Sequence, residues 1–155
     1  MVLAALILIL STAFFFFYWQ ATCQRILRRQ FEREYFLAIV NAGGLGFPAV
    51  RRTSGEFNAP VDYPRLRMTL EGDFLALTYL LKNAVNVRQR YSGEEWLLMF
   101  YFRLVFASLI TRHWLRVSEK SAILKLTAIL QYFANVVGQR VSTVRFANWP
   151  PPITS

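Results

Sequence analysis

The spacing of apolar positions changes along this chain, and each change marks an element. From Val2 to Trp19 there is no spacing at all. Eighteen consecutive residues carry no charge, and only Ser11 and Thr12 are polar. As a helix this run rises about 27 Å, close to the roughly 30 Å hydrocarbon core of a bilayer. A helix also satisfies its own backbone groups, as lipid requires. The run predicts one transmembrane helix. Beyond it Leu27, Phe31, Tyr35, Ala38 and Ala42 recur at three- and four-residue steps, so helix is expected to continue as a single rod over residues 1–42.

Periodicity then lapses. Residues 43–67 hold four of the seven glycines and three of the six prolines, which predicts an extended connection. Arg51, Arg52, Arg65 and Arg67 give it a basic character suited to headgroups.

Three helical stretches are predicted over residues 68–140. Thr69 is the expected cap of the first, with Glu71 and Asp73 in its opening turn, where the helix dipole favours acid. Its apolar stripe is Leu70, Phe74, Leu77, Leu81 and Ala84. Ser92 and Glu95 have the spacing of a capping box for the second, which runs from Trp96 to about Val117 and is apolar almost all round. Such a helix must be covered on every side, so it is expected at the centre. Its sixteen-residue run to Thr111 is short for a second span and contains Arg103, which insertion disfavours. Ser118 and Glu119 open the third helix. Its polar stripe is Ser121, Lys125, Gln131 and Asn135, and Gly138 is expected to end it. Val141–Phe146 carries a weak strand signal, within a tail (141–155) whose Trp149-Pro150-Pro151-Pro152 is unsuited to helix interior. The expected class is all-α: one N-terminal transmembrane helix extending into the cytoplasm, a long irregular loop, and a small bundle of about three helices.

Charge orients this arrangement. Tyr18 and Trp19 close the apolar run with interfacial rings, and Arg25, Arg28, Arg29 and Arg33 follow. These six are the candidate membrane-surface residues. The positive-inside rule then places the N-terminus outside and the rest of the chain in the cytoplasm, at the inner membrane. A cleaved signal peptide would need a basic start and small residues at the cleavage point, whereas the chain opens MVLAALIL and the run closes FFFFYW. The formal charge of +9 favours anionic partners.

Chemistry is sparse. His113 is the single histidine and Cys23 the single cysteine; neither has the companions of a metal site. His113 is explained by a helix C-terminus. Cys23 sits where reversible acylation is chemically open, against the default of a buried thiol. The carboxylates come as Glu71 with Asp73 and Glu94 with Glu95, positions that capping already accounts for. Gly43-Gly44-Leu45-Gly46 follows a helix and lacks the residues that complete a phosphate loop. No cofactor and no catalytic residue are expected.

The expected function is a non-catalytic, single-span accessory or scaffold subunit of a multi-subunit membrane complex, of the kind found in bacterial electron-transfer or photosynthetic assemblies. Its expected partners are the other subunits and anionic lipid headgroups. The alternative is a membrane-tethered basic module binding anionic lipid or nucleic acid. Nucleic acid is the weaker expectation, because the basic residues beyond Arg67 are scattered and no recognition motif accompanies them.

Overall fold

A computed structural model describes residues 1–29, 35–55, 62–83 and 92–147. Among them the chain is entirely helical: α1 (Val2–Leu27), α2 (Phe36–Gly43), α3 (Phe47–Gly55), α4 (Tyr63–Asn83), α5 (Gly93–Trp114) and α6 (Lys120–Ala147). The molecule divides into two units, Met1–Gln30 and Phe31–Ser155.

In the first unit, α1 stops at Leu27. The Arg28 amide donates to the Gln24 carbonyl and the Arg29 amide to that of Ile26. Arg28 and Arg29 lie outside the helix and the next described helix begins at Phe36, so the expected continuous rod is interrupted.

In the second unit α6 is the central helix, with α2, α3, α4 and α5 all packed against it. This corrects the expectation that α5 lies at the centre. Leu126, Ile129, Leu130, Phe133 and Val137 of α6 are almost completely buried. The expected stripe of α4 is buried at Leu70, Phe74, Leu77 and Leu81; Ala84 lies outside the described residues. Phe74 stacks on Phe102 of α5 with ring centroids 4.0 Å apart.

Among its described residues, the expected extended connection over 43–67 is largely helix. Pro48 and Pro64 are the second residues of α3 and α4, in a first turn where a missing N–H removes no intrahelical bond. Glycine does end α2, as anticipated: Gly44 is left-handed, with φ +60°.

The two short helices are capped from a distance. Asn135 Oδ1 accepts from the Tyr35 and Phe36 amides at 3.0 and 2.9 Å, at the start of α2. Asp73 Oδ2 accepts from the Phe47 amide at 2.6 Å, at the start of α3. Each side chain is buried and fills the role that a local N-cap would otherwise play. Asn135 is therefore part of the core and leaves the predicted polar stripe, while Gln131 of that stripe is engaged by Arg51 of α3. Thr69 does not cap α4 either. It sits inside the helix, its hydroxyl bonded back to the Arg65 carbonyl at 2.9 Å.

Gly138 does not end α6. The helix runs on to Ala147, through the residues with the weak strand signal. Glycine is required there by packing: a Cβ at 138 would overlap the Tyr35 Cβ and lie 3.2 Å from its Cγ and 3.4 Å from Ile39 Cγ1. The Pro-rich segment 148–155 lies outside the described residues.

Candidate membrane anchor and charged sites

The candidate anchor is a matter of local sequence. In α1 the apolar side chains point out on every side, and none of its most apolar eighteen-residue window is buried. Two of its hydroxyls are answered within the helix. The Thr12 hydroxyl donates to the Leu8 carbonyl at 2.7 Å and that of Thr22 to the Tyr18 carbonyl at 2.9 Å. Phe15 meets Trp19 edge to face one turn on, at 5.7 Å between centroids. A surface so uniformly apolar suits lipid and is costly in water.

The candidate membrane-surface residues follow in order along this helix. Tyr18 is exposed and Trp19 half-buried; Arg25 projects from the last turn, where a cation complements the dipole. Arg28 and Arg29 are exposed just past the helix end. Arg33 lies outside the described residues. Five of the six thus fall within about 17 Å along the helix axis, by helical rise, at the C-terminal end of the apolar run. Cys23 is buried, which agrees with the default reading of a sequestered thiol.

Two helices among the described residues are long and apolar enough to cross a membrane: α1 and the stretch Lys120–Thr143 of α6. They differ in what covers them. Two thirds of the α6 window (67 %) is buried by the helices around it, against 0 % for α1. The α6 stretch is accounted for as a core helix, whereas the sequence pattern draws attention to α5. What distinguishes α6 in the sequence is the run of small residues Ala134-Asn135-Val136-Val137-Gly138, in which Gly138 lets Tyr35 and Ile39 approach closely.

The remaining candidates have structural employment. Glu95 closes a capping box with Ser92, its carboxylate accepting from the Ser92 amide at 3.1 Å and its own amide donating to Ser92 Oγ at 3.3 Å. The same carboxylate is buried and paired with Arg140 of α6. Asp73 is held above the usual carboxylate range by burial, partly offset by donation from the Gly46 and Phe47 amides. Glu71 is exposed. Tyr132 donates to Glu94 at 3.4 Å.

At the far end of α5, His113 Nδ1 lies 2.7 Å from Glu119 Oε1, and its ring stacks on Tyr63 at 3.6 Å with planes 2° apart. Burial, then the Glu119 charge, push the Tyr63 phenol up, while Arg67 opposes them. Arg112 donates to the Ser118 carbonyl at 3.3 Å and to Ser121 Oγ at 2.9 Å, closing the α5–α6 turn. That turn has Schellman hydrogen bonding: the Val117 amide reaches the Arg112 carbonyl and the Arg116 amide that of His113. Arg116 occupies its left-handed position, with φ 54°.

Arg103 is exposed, so the buried partner it would otherwise require is unnecessary. Gly46, from the glycine run, approaches α4 closely, and a Cβ there would lie 2.5 Å from Thr69 Cγ2. Its role is packing. No group of three or more metal-ligating side chains gathers among the described residues. Comparison with known proteins gives no matching family model, no similar curated protein and no similar solved structure, so the functional reading rests on this geometry.

Proposed function

We propose that this protein is a non-catalytic, single-span membrane-anchored accessory or scaffold subunit, holding a small α6-centred helical unit at the cytoplasmic face of the inner membrane. The observation that carries the reading is α1, a 26-residue helix whose apolar window is wholly uncovered. Water is a poor solvent for that surface and lipid a good one. Arginines at 25, 28, 29 and 33 support the cytoplasmic assignment of the following chain.

The scaffold reading draws on the employment of the polar side chains. Asp73, Glu95 and Asn135 cap helices or pair with Arg140, and His113 is occupied by Glu119 and Tyr63. The test is affinity purification through a C-terminal tag after mild detergent extraction, read by mass spectrometry. Partner subunits in fixed stoichiometry are expected; recovery of the chain by itself would reject the subunit role. The second reading, a tethered module for anionic lipid or nucleic acid, is favoured by the +9 charge. It predicts binding that weakens steeply with salt.

A further inference from the structure

The outer face of α5 departs from what water requires of an exposed helix. Trp96, Phe100, Arg103, Ala107, Thr111 and Trp114 are all exposed, and at 3.6 residues per turn they fall within an arc of about 80°. Half-buried Met99, Leu104, Phe106 and Ile110 flank the arc. A solvated helix face normally carries charged and polar groups. Here two tryptophans, 62 % and 87 % exposed, stand at its ends, separated by about 27 Å of helical rise.

No acid occurs between Trp96 and Trp114, and the charge on the face is that of Arg103, with the exposed Arg116 in the turn beyond it. The turn that follows adds Leu115 and Val117, both exposed. Indole rings with arginines, an apolar floor and a single sign of charge are the composition of a helix that lies in the headgroup layer.

We infer that the outer face of α5 lies flat on an anionic bilayer surface, its tryptophans at headgroup level and Arg103 among the phosphates. The inference rests on the anchoring of α1. Only a short segment separates Leu27 of α1 from Phe36 of α2, so the bilayer that holds α1 is present at high effective concentration to the whole second unit. Charge complementarity selects anionic over neutral lipid. It also accounts for the sequence pattern, since a helix with protein on one side and lipid interface on the other reads as apolar all round.

The full chain can be reconstituted in nanodiscs of phosphatidylcholine, alone or mixed with phosphatidylglycerol. An environment-sensitive fluorophore is placed by Ala107→Cys or Thr111→Cys in a Cys23→Ala background, with Thr53→Cys on α3 as the control. In anionic discs the α5 probes should be blue-shifted and quenched by spin-labelled lipid, and the control should not. Quenching should fall in neutral discs and at high salt. Arg103→Gln should lower the bound-to-free ratio of the face at the surface about fivefold, the factor one basic residue near anionic headgroups carries. Hydroxyl-radical footprinting of the unsubstituted chain provides a second readout, in which Trp96 and Trp114 should be protected in anionic discs.

A chain that inserts stably while its α5 probes stay as wet as the control overturns the inference and leaves the anchor standing. Equal quenching in both lipids overturns the electrostatic assignment. Protection that arises only on adding membrane proteins assigns the face to a protein partner and overturns the lipid one. A chain that alkali strips from the discs removes the anchor, and the inference with it.

Discussion

Gly138→Ala offers a test in which local propensity and tertiary packing give opposite signs. Alanine inside a helix is favoured over glycine by about 1 kcal/mol, so α6 taken alone should gain. In the folded unit the added methyl would overlap the Tyr35 Cβ, with Tyr35 Cγ and Ile39 Cγ1 close behind. A Cβ is fixed by its backbone, so no rotamer relieves the clash and the start of α2 must move. Overpacking of this kind costs about 1–3 kcal/mol. The shift also stretches the two bonds from Asn135 to the Tyr35 and Phe36 amides, worth about 1 kcal/mol each. After subtracting the propensity gain, the expected net loss is about 2–4 kcal/mol. Denaturant unfolding of the full chain in mild detergent, followed by far-UV circular dichroism, measures it. Asn135→Ala sharpens the test. By itself it should cost about 1–2 kcal/mol, and on the Gly138→Ala background nearly nothing, since the bonds it removes are already lost. A Gly138→Ala variant more stable than the parent, or full additivity with Asn135→Ala, would refute the packing described for α2 on α6.

Four further outcomes follow from buried and strained groups. Asp73→Ala should cost about 1–3 kcal/mol by orphaning the amides at the start of α3, whereas Asp73→Asn retains an acceptor and should cost less. Because burial raises the Asp73 carboxyl above 3.8, its ionised form is the one disfavoured by folding. Its contribution is therefore fully present below 3.8 and is lost as pH rises through the raised value. Relative to Asp73→Asn, the parent should lose stability upward through that window, as unfolding at a series of pH values would show; a rise would contradict the burial argument. Glu95→Ala strands Arg140 and opens the Ser92 box, for an expected loss of about 3–5 kcal/mol, read by the same unfolding assay. Arg116→Gly should stabilise the fold by about 1 kcal/mol, because glycine occupies the left-handed position without the Cβ penalty; an unchanged or lowered midpoint would count against strain there.

What could be read from sequence was what depends on neighbours a few residues away. The Ser92–Glu95 box, the apolar stripe of α4 and the uncharged run of α1 are all local patterns, and each stands in the structure where its spacing put it. What could not be read depends on residues brought together by folding. Gly138 has the spacing of a terminator, and only Tyr35, far away in the chain, shows why glycine belongs inside α6. Asn135 reads as a polar-stripe position and Asp73 as an acid in a helix's opening turn until α2 and α3 dock their amides onto them. Pro48 and Pro64 marked a loop in the sequence because proline breaks helices; in place they begin them. The candidate surface divides along the same line. Tyr18, Trp19, Arg25, Arg28 and Arg29 were legible as a linear band, whereas the outer face of α5 emerged only once α6 was seen to occupy the centre.

The central claim is that residues 2–19 remain part of the chain and lie in lipid. Alkaline extraction of membranes containing the full chain, with the intact mass of the retained protein determined, tests it most directly. The chain should stay in the membrane pellet at a mass that includes those residues. Release into the alkaline supernatant, or a mass from which they have been cut, would contradict it.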